Sequence, residues 1–250
     1  MERRPWSRDE LLAAFNLYCR TPFGRLHRSN PDIVTLAARL GRSPSAVAMK
    51  LSNFASIDPA HRARNVHGLS NASRADKAIW DEFSANPEQV AFLSERSMHG
   101  LILGARPRRT GDPAGPTEVV RSIRSRLVQG FFRDAVLASY ESQCAMCDIH
   151  LAELLTACHI IPWSKSIQRR ADPRNGLALC ALHDRAFDRG LLTVGSDLRI
   201  LLSGRLKVKL AGRMHRLALL ELEHKELRMP HRFFPDPDAL TYHRDTIFVA

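Results

Sequence analysis

Residues 144–190 read CAMCDIHLAELLTACHIIPWSKSIQRRADPRNGLALCALHDRAFDRG, and this stretch decides how the rest of the chain is understood. It opens on Cys144-Ala-Met-Cys147 and closes on Cys180-Ala-Leu-His183, two pairs with the same spacing. Two residues between ligands let one tight turn aim both side chains at a single tetrahedral ion, and two such turns complete a site of three Cys and one His. Five cysteines, four of them within this segment, favour a metal over disulfides in a reducing compartment. Structural Zn²⁺ held by Cys144, Cys147, Cys180 and His183 is therefore expected. The second pair runs directly into Asp184-Arg-Ala-Phe-Asp188-Arg-Gly190. If this run is helical, Asp184 and Asp188 stand at i and i+4 on one face, where they can share one hard cation. His159, at the end of a strand facing that helix, is expected to lie across from the ion.

The order His159, Asn175-Gly176-Leu177, His183-Asp184-x3-Asp188-x-Gly190 resembles the HNH (ββα-metal) endonucleases, over about residues 125–195. It is most similar to the bacterial restriction-type branch, and the bracketing knuckles resemble the McrA-type modification-dependent enzymes. The resemblance implies that His159 is the general base that takes a proton from the attacking water, a role that suits a neutral imidazole. It implies that Asn175 steadies the loop holding this base, and that the helix positions bind a divalent ion on the scissile phosphate. Many members have His at those positions. Asp184 and Asp188 stand there instead, which favours Mg²⁺ or Mn²⁺. Cys158, where several branches place a ligand, is a weak partner for Mg²⁺. His183 is either the fourth zinc ligand or the last His of the HNH triplet, and the repeated spacing favours zinc.

Outward from this core, composition sets bounds. The chain has 250 residues, 44% apolar and 25% charged, as in a globular protein of one large or two ordinary domains. Disordered, collagenous and membrane-spanning classes are excluded on this basis, and no membrane partner is expected. Met1–Ser7 has no apolar run after its charges and is not read as a signal peptide, so a cytoplasmic location is expected. Lys and Arg number 37 against 26 Asp and Glu, a net charge of +11 weighted toward Arg, which points to a polyanionic partner.

Ser7 with Glu10 predicts a capping box and a helix through Tyr18. Asn30-Pro31 and Ser43-Pro44 predict two more helix starts, separated by Gly41. Helix, glycine turn and helix follow one another at the spacing of a helix-turn-helix, and Ser45, Ala48, Met49, Lys50 and Asn53 would then be presented by its second helix. Lys50 and Asn53 are expected to contact DNA there; Arg174 and Arg185, flanking the ion site, are expected to contact it too. A further helix follows Ser73, and another starts at Pro87. Residues 105–117, rich in Gly and Pro, are read as a linker. It separates a helical, helix-turn-helix-like reading domain (1–104) from an HNH domain (118–250) that begins with helices near 118–128 and 131–140. Alternation over 198–202 and 205–210 predicts strands.

The resulting expectation is an α+β protein with a zinc knuckle pair in its C-terminal domain. Its activity would be metal-dependent hydrolysis of double-stranded DNA, with or without base modification, in restriction or phage defence. The alternative is a DNA-binding regulator on a non-catalytic, zinc-bound HNH scaffold. A homodimer stays open.

Overall fold

A computed structural model describes residues 4–63, 72–102, 117–208 and 211–250. The expected linker at 105–117 lies outside the described residues except for Thr117.

The N-terminal half is a helical bundle whose starts follow local chemistry. Helix α1 (Arg8–Arg20) opens on the expected capping box, in which Ser7 accepts from the Glu10 N–H and Glu10 accepts from the Ser7 N–H. Asn30 caps α2 (Pro31–Leu40) and Ser43 caps α3 (Pro44–Ile57), each with proline at the first helical position. Short α4 (Pro59–Ala63) follows, then α5 (Arg74–Ala85), with a Ser73/Asp76 capping box, and α6 (Pro87–Ile102). α1 is wrapped on nearly all sides: every residue from Leu11 to Cys19 is buried. Its aromatic faces meet Phe54, Trp80 and Phe83 in tilted and edge-on contacts.

Helix α7 (Thr117–Ser139) joins the halves. The sequence predicts two helices here, broken before Phe131. One continuous helix forms because Gly130 faces open space and weakens the helix without stopping it. Two stripes run along α7. Val128, Phe131 and Ala135 belong to the core of the bundle, whereas Phe132, Val136 and Tyr140 belong to a second core in the C-terminal half. Neighbours on a helix point about 100° apart, so one helix serves both cores. A second link comes from the far end of the chain. Arg232, 1% exposed, donates to the carbonyls of Tyr18, Cys19 and Thr21 at the end of α1, at 2.5–2.8 Å. The Tyr18 carbonyl also accepts from the Thr21 N–H, and Arg232 supplies donors to the open carbonyls of the helix end. The halves are therefore packed together through α7 and Arg232.

The C-terminal half is built on a hairpin and a helix. Strands β1 (Leu155–His159) and β2 (Gly176–Cys180) are antiparallel, with Cys158 opposite Leu177 and His159 opposite Gly176. α8 (Ala181–Asp188) starts at once after β2. Gly176 is where α7 crosses the hairpin: a Cβ there would stand 2.5 Å from Val136 and 2.8 Å from Phe132. α8 stops at Gly190, whose φ of +66° and proximity to the Ile247 carbonyl, 2.1 Å from where a Cβ would be, admit no side chain. A second small hairpin follows, β3 (Leu192–Val194) with β4 (Ile200–Leu202), then α9 (Arg213–Ala218) and α10 (Pro237–Thr246). The strand expected at 198–202 is thus present as β4. That expected at 205–210 is not a strand over its described residues, since Gly204–Leu206 forms a 3-10 turn capped by Ser203. No helix of the described residues is long and apolar enough to cross a membrane.

Candidate active site

The two knuckles meet because the hairpin brings their ends together. The Ala145 N–H donates to the Ala178 carbonyl at 2.7 Å, which docks the first knuckle on β2. Its loop is closed by the Cys144 N–H on the Ile149 carbonyl and strapped by Arg228, which donates to the carbonyls of Cys144 and Cys147. β2 then delivers Cys180, and the first turn of α8 delivers His183. The ligand atoms of Cys144, Cys147, Cys180 and His183 all lie within 4.8 Å of one another. His183 Nδ1 is 3.5 Å from Cys144 Sγ and 3.3 Å from Cys180 Sγ. A tetrahedral ion with ordinary Zn–S and Zn–N bonds sets such a pair about 3.6 Å apart, so the donor set and its spacing fit zinc. The backbone N–H groups of Met146 and Cys180 point at Cys144 Sγ, as suits a thiolate. The hydrogen bond from Cys180 holds the Cys144 thiol below its ordinary value, and the same contact pushes Cys180 up to about 11. His183 Nε2 faces the Ala218 carbonyl at 2.9 Å, which leaves Nδ1 as the metal-facing nitrogen. The structure thus groups His183 with the cysteines and not with the α8 carboxylates.

A second cluster lies on the other side of α8's first turn. The ligand atoms of Cys158, Asp184 and Asp188 fall within 4.8 Å of one another, so the i, i+4 pair shares one face as its spacing requires. Burial first, and then the neighbouring Asp184 carboxylate, raise Asp188 above the usual carboxylate range. Two carboxylates pressed together in this way are relieved by a cation. Burial pushes the Cys158 thiol well up, with both carboxylates adding to it, and its Sγ lies 3.7 Å from Asp188 Oδ1 as a thiol donor.

Successive strand residues point to opposite faces, and this changes one expectation. Cys158, and not His159, is the β1 side chain that meets α8. His159 turns to the other face, where its ring stacks on Phe132 of α7 (3.8 Å between centroids, 11° between planes) and meets the edge of Trp163. Its Nε2 lies 3.0 Å from the Arg170 carbonyl, so Nε2 carries the hydrogen and Nδ1 keeps its lone pair. Burial holds the imidazole below its ordinary value, against the opposing pull of that carbonyl.

Asn175, 1% exposed, sits in a 3-10 turn (Pro173–Asn175) begun by the Asp172 side chain. Its Nδ2 donates to the carbonyls of Ile161 and Arg169, and its Oδ1 accepts from the Ile161 N–H at 2.8 Å. Both ends of loop 161–170 are pinned by this one side chain, and Arg170 at the loop's end presents the carbonyl that orients His159.

A family model described as HNH endonuclease matches residues 144–195. The match begins on the first knuckle and ends beyond α8, so it takes in both clusters, His159 and Asn175. HNH domains are generally nucleases, and they bind a divalent metal ion; the segment supports an endonuclease on those grounds. A search of curated proteins found no match to the chain.

Other candidate residues fall differently. Lys50 and Asn53 are buried, at 7% and 8% exposure, and both donate to Asp76, which is wholly buried in α5. They stabilise the bundle from within, and the expectation that they face DNA is corrected on that ground. Ser45 and Met49 are the members of the expected α3 set that reach solvent, whereas Ala48 is buried as well. Arg174 is half-exposed and held bidentate by the buried Asp172. Arg185 projects from the exposed side of α8. Sequence reasoning missed the parts played by Phe132, Ala218 and the Arg170 carbonyl. Two of these are backbone groups, which no residue type announces.

Proposed function

We propose that this protein is an HNH-type endonuclease that hydrolyses phosphodiesters of double-stranded DNA, with His159 as general base and one divalent ion on Asp184 and Asp188. The observation that carries this reading is the presence, within one ββα unit matched by the HNH family model, of the Cys158/Asp184/Asp188 cluster and, on the strand residue next to Cys158, of an oriented His159. Consecutive Cα atoms are about 3.8 Å apart, so His159 and the Cys158 of the cluster are fixed to one short piece of strand.

Asp184 and Asp188 would hold the ion, and the carboxylate donors favour Mg²⁺ or Mn²⁺. When bound, the ion supplies Lewis-acid stabilisation of charge developing on the leaving oxygen. The chain's own residues do the rest. His159 accepts a proton from water at Nδ1, since Nε2 is engaged by the Arg170 carbonyl. Its depressed proton affinity keeps it neutral, and so competent as a base, at neutral pH. Asn175 preserves this arrangement by holding loop 161–170. The zinc cluster fixes the register of hairpin and helix and takes no part in the chemistry.

The net charge of +11 supports a nucleic-acid substrate. The resemblance to restriction-type enzymes supports a role in restriction or phage defence. The test is cleavage of methylated and unmethylated supercoiled plasmid by the full chain with Mg²⁺, Mn²⁺ or EDTA. Metal-dependent nicking or linearisation that EDTA stops is expected. Absence of cleavage on both plasmids with either metal refutes the reading, and a difference between the plasmids identifies a dependence on modification.

A further inference from the structure

With Lys50 and Asn53 turned inward, another surface must meet the bases, and the junction between the halves offers one. A pocket of about 280 Å³ opens there. Its walls come from three separated parts of the chain: Asp58 at the end of α3, Trp80 and Phe83 on α5, and Phe233 and Phe234 beside the Arg232 clamp. Arg174 completes the lining from the turn that holds Asn175. The aromatic walls are fixed. Trp80 and Phe233 lie nearly parallel, at 10°, and Phe83 packs against both Phe131 and Phe233. The Asp58 carboxylate is pinned too, accepting from the Tyr18 hydroxyl at 2.8 Å and from the Ala60 N–H at 2.9 Å.

Size and chemistry narrow the occupant. A cavity of about 150 Å³ holds one benzene-sized ring. This pocket is nearly twice that, with room for a planar heterocycle and part of what it is attached to. Aromatic walls stack on any π-face. The polar groups of the lining are the Asp58 carboxylate and the Arg174 guanidinium, itself paired with Asp172, and their chemistry suits a ring edge and an anion. A rigid pocket of that composition suits a base drawn out of its stack. Arg174 is the residue before Asn175, so the pocket shares the 3-10 turn (Pro173–Asn175) with the side chain that holds the candidate catalytic loop.

We propose that this pocket receives a single nucleobase, set against the aromatic residues that line it from the two halves, with Arg174 beside the attached phosphate. This rests on the reading of the chain as a DNA-cutting enzyme where the base belongs to DNA, although a free mononucleotide has the same chemistry. Selectivity then resides at the junction of the halves, and neither half alone contains the site.

The experiment uses the full chain and two variants outside the catalytic residues. Phe234→Ala removes a half-buried aromatic wall, and Ser84→Leu fills the mouth from an exposed position of α5. Binding is measured by fluorescence anisotropy, in EDTA, to a duplex with one unpaired nucleotide and to the same duplex fully paired. Mononucleotide binding is followed by ligand-detected NMR. The wild type should prefer the duplex with the unpaired nucleotide about tenfold or more, the scale of one base–aromatic stack. Both variants should lose that preference and still bind the paired duplex as the wild type does. Saturable mononucleotide binding that Ser84→Leu abolishes, without a preference among duplexes, makes the free nucleotide the ligand. If neither probe binds in a manner sensitive to both variants, the pocket is not a base site. Plasmid cleavage that persists in that case leaves the nuclease reading intact, so the two failures are told apart.

Discussion

Replacing Lys50 by methionine removes one partner of a buried pair while keeping the volume and the apolar stem. In the native bundle Lys50 Nζ donates to both oxygens of Asp76, at 2.8 and 3.0 Å, and the carboxylate also accepts from Asn53 Nδ2 and the Ser73 N–H. Asp76 is wholly buried. In the variant its charge keeps two neutral donors and loses its cation. Breaking a buried pair from one side costs about 3–5 kcal/mol, mostly as the penalty of the charge left behind. For a chain of this size each kcal/mol shifts the melting temperature by about 2–4 °C, so a fall of about 6–20 °C is expected. Circular dichroism melts and urea titrations read the change directly. Lys50→Met/Asp76→Asn should recover part of it, because the stranded charge is gone. DNA affinity of the folded variant, by anisotropy below its melting point, should match the wild type. A Lys50→Met protein that melts within about 2 °C of the wild type but loses DNA binding would refute the reasoning, and would return Lys50 to the DNA-facing role that its sequence position suggests.

Three further outcomes are expected. His159→Ala should lower cleavage by about 10²–10⁴ while leaving DNA binding, and the acid limb of cleavage by the wild type should fall below the ordinary histidine value of about 6.5, because burial lowers the His159 proton affinity and the base is its neutral form; pH–rate profiles of plasmid nicking check both. The purified protein should contain one tightly held Zn²⁺ per chain by elemental analysis, and Cys180→Ser should lose it together with cooperative melting of the C-terminal half. Burial pushes His243 down to about 4, so the unfolded chain takes up that proton first on acidification; stability contributed by the neutral ring is complete above about pH 6.5 and is lost as pH falls from there to about 4, which urea titrations at several pH values would detect.

What could be read from the sequence divides along the range of the interactions. The capping box at Ser7, the Asn30-Pro31 and Ser43-Pro44 starts and the two knuckles are local, each carried by residues within four positions, and the structure places them as read. Asp184 and Asp188 share a face for the same reason. Lys50 and Asn53 were legible only as polar residues on a helix. Their burial depends on Asp76, more than twenty positions away, which no periodicity links to them. The orientation of His159 followed from strand alternation, but its dependence on where β1 ends left either face open. The single helix α7 concealed itself behind Gly130, and Arg232 gave no sign of its destination because its acceptors are main-chain carbonyls at the opposite end of the chain. The pocket between the halves is a property of that long-range packing and was illegible for the same reason.

Because adjacent phenylalanines of α7 serve different cores, recombination cannot treat this chain as two interchangeable cassettes. A crossover within residues 105–117 would separate the bundle from Phe131, Phe233 and Arg232, all of which its own core and helix end depend on. A chimera that joins a foreign N-terminal half at that point would present Arg232 with a helix end it does not match, and mismatched apolar stripes along α7. Functional transplants of the reading half therefore require that α7 and the segment around Arg232 travel with it, and sequence drift in one half is constrained by drift in the other.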